Sequence, residues 1–201
     1  MIEHPEIERP ESRLMESGIY VENGFYSKAE ILRAEFEKAL LGEGKLNAGM
    51  TPLGYAYHKD TYQFLTASAE RCFSEEAISE LIETLQQWGN NVVGASHVST
   101  PQVRVYIRGC SRKLIRDDVT TPWHFLLSLT PNTHPDKSCQ IKILRENVPG
   151  NSSSRLHRVL SSFPVFNQLL VHSTRELYSI EGVQTSMNPL KGMVFLDGYM
   201  W

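Results

Sequence analysis

Cysteine is scarce in this chain. Cys72, Cys110 and Cys139 are odd in number, widely spaced and never arranged as Cys-x-x-Cys. That excludes a disulfide scaffold and a zinc knuckle, and makes reduced thiols the expectation. No apolar run reaches the ~18 residues needed for a membrane-spanning helix. The start, Met1-Ile2-Glu3-His4-Pro5-Glu6, lacks a basic stretch followed by an apolar one, so no secretory signal and a cytoplasmic location are expected. Nor is there an excess of one charge: 20 basic residues stand against 23 acidic ones, a net −3. A partner held by a basic face, above all nucleic acid, is therefore not expected. Also missing are His-Glu-x-x-His, a glycine-rich phosphate loop and the Gly-x-Ser-x-Gly turn that would support Ser-His-Asp catalysis.

What is there suits one compact domain, since 201 residues at 41% hydrophobic content bury a sizeable core without staples. Residues 1–18 are polar and rich in Pro and Glu, and read as an arm. Ser27 with Glu30 forms a capping box ahead of Ile31, Leu32, Phe36, Ala39 and Leu40 at helical spacing, ended by Gly42 and Gly44. Residues 45–66 read as loop with some extended structure. Ser74 caps a second helix with the stripe Ala77, Ile78, Leu81, Ile82 and Leu85, stopping before Gly89. After about residue 90 the pattern turns to strands: Val103–Ile107 and Gln140–Leu144 alternate, while Trp123–Leu129, Gln168–Val171 and Met193–Leu196 are apolar runs. Pro149–Ser154 reads as a turn or mobile loop. Two helices followed by many short strands predict an antiparallel sandwich or barrel with helices on one face.

Histidine invites a search for metal ligands. His-x-Asp/Glu occurs at His4–Glu6, His58–Asp60 and His134–Asp136. The first lies in the arm and the third in a turn where Asp and Pro are ordinary residues. His58 with Asp60 is the better of three weak candidates.

Order and spacing are more informative. The segment Gly18–Phe25 is extended and enters the first helix; Arg104-Val105-Tyr106-Ile107-Arg108-Gly109 follows the second. Trp123-His124-Phe125-Leu126-Leu127-Ser128-Leu129 and Phe163–Val171 come later. This arrangement resembles the iron(II)/2-oxoglutarate-dependent oxygenases, particularly their prolyl-hydroxylase-like branch, over most of residues 18–201. The resemblance implies a mainly β double-stranded β-helix (jelly roll) with N-terminal helices. It implies a single domain over 19–201, divided into a helical buttress at 19–92 and a β core at 93–201. It also exposes departures. Where that family has its metal-binding His-x-Asp, the chain reads Arg116-Asp117-Asp118. Tyr178 stands where the distal His belongs, and Met193 where a guanidinium would hold the co-substrate. Arg116 offers no lone pair to a metal and Met193 cannot grip a carboxylate.

On that register Asp118 survives. If residues 114–118 are extended, Arg116 and Asp118 share a face; the alternative is that residues 112–118 form a solvated charge run. In the functional reading, Arg116, Asp118 and Tyr178 are the catalytic candidates, with Asp118 and Tyr178 handling protons. Arg104, Tyr106, His124 and His172 line the substrate site, Arg104 and Arg116 holding an anion through forked hydrogen bonds. Each lining residue also has a plainer role: Tyr106 as a core aromatic, His124 as a hydrogen-bonded core residue, His172 as a strand-end cap. Arg175 reads as a surface ion-pair partner and Cys110 as structural. The expected function is metal-independent acid/base chemistry on a small anionic metabolite, of isomerisation, cyclisation or elimination type, without cofactor. The alternatives are a catalytically silent partner or ligand-binding subunit, and a working oxygenase using Fe(II) and 2-oxoglutarate with an unusual triad such as His124, Asp118 and His172. A small-molecule substrate, with a homo-oligomer or a protein partner, completes the expectation.

Overall fold

The computed structural model describes residues 13–16, 18–43, 51–115, 120–132, 140–146, 156–181 and 186–201. Within them run strands β1 (Arg13–Glu16) and β2 (Ile19–Asn23), helix α1 (Ala29–Leu40), strands β3 (Gly54–His58) and β4 (Tyr62–Ser68), and helix α2 (Glu75–Val92). Then come β5 (Gln102–Tyr106), β6 (Ser111–Ile115), β7 (Trp123–Ser128), β8 (Ile141–Glu146), β9 (Leu156–Ser162), β10 (Gln168–Ser173), β11 (Leu177–Ile180) and β12 (Met193–Met200). All described pairings are antiparallel, in the order β1-β2-β10-β7-β12-β5-β4-β6-β11-β8-β9, with β3 on the side of β4.

That sheet folds back on itself. β5 and β6 run end to end along one side of β4, pairing with Leu65–Ser68 and with Tyr62–Gln63, while β3 takes the other side. From there β5 pairs on to β12 and β7, and β6 to β11 and β8. The Tyr178 ring on β11 lies 4.9 Å from the His124 ring on β7, so the two halves curl toward each other. The two halves of a double-stranded β-helix therefore face each other, as expected.

Both helices cover the outer face of the longer half. Leu32 and Phe36 of α1 and Ile78, Leu81, Leu85 and Trp88 of α2 are buried, as are outward positions Phe125, Leu127, Val194 and Leu196. Strands covered on both faces read as continuous apolar runs, which is why β7 and β12 do so. Arg33 of α1 is buried and donates to the carbonyls of Leu129 (3.2 Å) and Leu190 (2.8 Å).

Several local expectations change. The first helix starts at Ala29 with Lys28 at its N-cap and no side-chain cap, so the Ser27–Glu30 capping box does not form. Asn167 holds the entry instead, accepting from the Tyr26 amide (2.8 Å) and donating to its carbonyl (2.9 Å). Ile31, placed on the apolar stripe, is exposed. Ser74 does cap α2, but the helix runs through Gly89 to Val92. Gly89 is there for close packing: an added Cβ would lie 3.0 Å from the Ala95 carbonyl oxygen. The polar arm contributes an edge strand, β1, through backbone pairing that hydropathy does not report. The region read as loop carries the β3–β4 hairpin, whose β4 lies in the middle of the sheet. The boundary at residue 92 therefore does not separate helices from strands. The Pro149–Ser154 turn, His4 and His134 lie outside the described residues.

Candidate functional site in the barrel interior

Register fixes which side chains point inward. Across β2, β10, β7 and β12, one inward row is Ile19, His172, His124 and Tyr199. The next is Val21, Leu170, Leu126 and Asp197, extended by Gln102 on β5. Arg104 on β5 stands opposite Phe195, one step along from Asp197. From the facing half come Tyr178 and Arg112.

These groups meet. His172 Nδ1 lies 3.0 Å from the Ser173 carbonyl oxygen, and His172 Nε2 lies 3.0 Å from His124 Nδ1. His124 Nε2 faces Asp197 Oδ2 at 3.6 Å, an ion-pair separation rather than a hydrogen bond. Asp197 Oδ2 in turn lies 2.6 Å from Arg104 Nε. Tyr178 caps the pair of imidazoles, its ring 4.9 Å from each, and Arg112 places its guanidinium 4.2 Å over that phenol. Tyr199 also packs on His124, with ring centroids 5.1 Å apart.

Electrostatics follow from this burial. Both imidazoles are fully enclosed. Burial first, then His124 and Arg112, press the His172 imidazolium down to about 3 against the opposing pull of the Ser173 carbonyl, so that ring is neutral. For Asp197, burial acts to raise its value. Arg104, then His124 and Arg112, more than offset it, and the carboxyl stays below its usual range. For Arg104, burial works to lower the guanidinium, and Asp197 holds it above its ordinary value.

The structure thus brings together Arg104, His124, His172 and Tyr178. Tyr106 is a core aromatic beside them, its ring 5.5 Å from Phe64 and 6.0 Å from Phe195. Arg116 and Asp118 lie outside the described residues. Asp197 is the buried member of this cluster that the sequence does not announce. Its signal is a carboxylate two residues after Phe195 and two before Tyr199 on one strand face, but it falls just past the end of the apolar run Met193–Leu196. Arg112 was noticed only as the start of a charge run. His58 is exposed and bonded to Thr61 Oγ1 at 2.8 Å and the Lys59 carbonyl at 3.1 Å, while Asp60 faces Lys113 at 3.5 Å. Cys110 is buried with its thiol pushed up by burial, which suits a structural role.

No family model and no curated protein sequence matches this chain. Solved structures do. A prolyl-4-hydroxylase from Pseudomonas putida is 15% identical with a TM-score of 0.59, covering 91% of this chain and 91% of its own. SnoK, a non-heme alpha ketoglutarate dependent carbocyclase from nogalamycin biosynthesis, is 13% identical with a TM-score of 0.60, over 91% of this chain and 79% of its own. The epimerase SnoN of the same biosynthesis is 11% identical with a TM-score of 0.63, over 91% and 78%. The fold is that of the 2-oxoglutarate/iron(II) oxygenases.

Whether the residues of this oxygenase-fold barrel fit iron and an oxo-acid is a separate matter. Among the described residues no three His, Cys, Asp or Glu side chains form a metal-holding group. His124 turns its two nitrogens to different partners, so it does not join His172 and Asp197 around one point. Tyr178 has a guanidinium over its ring, and Met193 buries a thioether where a carboxylate clamp would stand. The described residues do not fit the group that the fold implies.

Proposed function

We propose that this chain uses an oxygenase-type barrel to bind a small anionic metabolite and to move a proton on it, without a metal ion. The reaction is of isomerisation, cyclisation or elimination type. The observation that carries the reading is the enclosed chain Arg104–Asp197–His124–His172, closed by Tyr178. Charged and imidazole groups inside a barrel are costly to bury, and such clusters gather where proton transfer is needed. Arg116, with Arg104, is the expected anion holder, since forked guanidinium donors match a carboxylate or phosphate. Asp118 and Tyr178 are the expected proton-handling pair. Two neighbours named above, a carbocyclase and an epimerase, show that this fold hosts ring-forming and isomerising reactions, although those proteins depend on alpha ketoglutarate. The test is calorimetry of small mono- and dicarboxylates and phosphate esters with chelator present. Binding that survives the chelator and weakens at least tenfold in Arg116→Met supports the reading. Binding that appears only when Fe(II) is added overturns it.

One observation favours a second reading, a binding subunit. Tyr55 and Tyr57 on β3 are exposed and stacked with ring centroids 6.4 Å apart, a patch suited to a partner surface. Among the described residues no helix is long and apolar enough to span a membrane, in keeping with the proposed cytoplasmic location.

A further inference from the structure

We propose that the helical layer carries a second site, which holds the ammonium group of a small primary amine among Tyr26, Glu76 and Glu80. The site lies between α1 and the start of α2, and it is independent of the barrel reading above.

Two features of that layer have no account within the fold. Tyr26 is 3% exposed, yet its buried hydroxyl has no hydrogen-bond partner among the described residues. A hydroxyl enclosed without one is costly, and native interiors hold few of them. Ile31 of α1 is the converse, a large apolar side chain left 52% exposed. Both residues line one cavity of about 200 Å³. At ~30 Å³ for a water-sized group, that is room for about six non-hydrogen atoms.

The charges around the cavity say what fills it. Three carboxylates, Glu35, Glu76 and Glu80, line it with one cation, Lys28. Glu35 is engaged at the helix end, where its oxygens accept from the Ser74 amide at 2.8 Å and the Ser74 hydroxyl at 3.0 Å. Lys28 Nζ lies 2.5 Å from Glu80 Oε2, so this wall already accepts an ammonium. Glu76 has no ion pair among the described residues, and negative charge remains in excess. The charges that act on the Tyr26 phenol are Glu80, Lys28 and Glu35, all of which line the cavity, so its hydroxyl end is turned toward them. Burial first, then Glu80, hold that phenol above its ordinary value, which leaves a neutral hydroxyl with lone pairs to offer. Carboxylates and a hydroxyl oxygen accept, and an ammonium supplies three donors. A metal ion fits poorly, because among the described residues no three His, Cys, Asp or Glu side chains form a metal-holding group. The apolar wall of Ile31, Leu32 and Ala77 suits the alkyl stem of the same ligand.

The test titrates the full chain with n-butylamine at neutral pH, following backbone amide NMR shifts and the melting temperature. Uncharged 1-butanol and Mg²⁺ are the controls. The expected result is saturable shifts at Tyr26, Ile31 and Ala77 with the amine and none with either control. Tyr26→Phe and Glu76→Gln should each weaken binding roughly tenfold, as loss of a hydrogen bond to a charged group does. Without ligand, Tyr26→Phe should melt no lower than wild type, since the hydroxyl it removes bonds nothing. A lower melting temperature, or a variant that does not fold, means that the hydroxyl has a resting partner and overturns the proposal. So does an absence of shifts with butylamine, equal shifts with 1-butanol, or shifts with Mg²⁺ alone. Nα-acetyl-lysine amide separates the sources of the ammonium, and either result supports the site: tighter binding than butylamine assigns it to a lysine of a partner chain, weaker binding to a free amine.

Discussion

Replacing Asp197 by Ala should be among the most damaging single substitutions in this protein. The carboxylate is 2% exposed and the Arg104 side chain only 16%, with Oδ2 and Nε 2.6 Å apart. A guanidinium cannot discard its proton, so the variant leaves a charge enclosed beside the Phe64 ring, 4.8 Å away, with nothing to replace the carboxylate. Removing one partner of such a pair costs about 3–5 kcal/mol. That is a large share of the ~5–15 kcal/mol that a domain commonly has. At roughly 2–4 °C per kcal/mol for this size, the melting temperature should drop by about 6–20 °C. Urea unfolding followed by circular dichroism reads the effect as a lower midpoint at an unchanged slope. The double variant Arg104→Met with Asp197→Leu removes both charges and should return to within about 1 kcal/mol of wild type, since a packed apolar pair replaces a buried ionic one at little cost. A loss below ~1 kcal/mol for Asp197→Ala would refute the reasoning. So would a double variant whose loss equals the sum of the two singles, because contacting residues must couple.

Two further predictions concern acid and packing. The folded value of His172, about 3, lies below its ordinary 6.5, so in that window the unfolded chain binds a proton that the folded chain refuses. Stability therefore falls as pH drops from about 6.5, by on the order of 3 kcal/mol at pH 4, and His172→Gln should flatten that slope. Equal slopes in the two proteins would contradict the burial argument. Asp197, also depressed, contributes stability above the usual carboxylate range that is lost only in stronger acid. Gly198→Ala should cost about 1–3 kcal/mol in urea midpoint. Its Cβ would lie 2.7 Å from both Phe125 Cε1 and Ser99 Oγ, with no room to shift on a strand paired on both sides.

Much of the fold was legible because hydropathy reports burial. The runs at β7, β10 and β12 are apolar on both faces and were visible as such, and Ser74 announced α2. What escaped was held by features that carry no hydropathic signal. The β3–β4 hairpin is half solvated, its Tyr55 and Tyr57 exposed, so no alternation marks it. Strand β1 joins β2 by backbone pairing, and α1 is entered through Asn167, 141 residues from Tyr26. The site divides in the same way. Arg104, His124, His172 and Tyr178 were read from element order and their neighbours in sequence. Their convergence depends on a cross-strand register that pairs His124 with His172 and Tyr199. Asp197 went unread because its charge is cancelled by Arg104, 93 residues earlier in the chain, and only the fold brings the two together.

The central claim is that this barrel works without the metal and oxo-acid that its fold implies. The most direct test is anaerobic titration of the metal-free protein with Fe(II) and then 2-oxoglutarate, following heat and the iron–oxo-acid charge-transfer absorption. The expected result is no saturable heat and no band from a protein that stays folded. Tight stoichiometric binding with that band would contradict it, and would mean that a ligand set including Asp118 rebuilds a metal site.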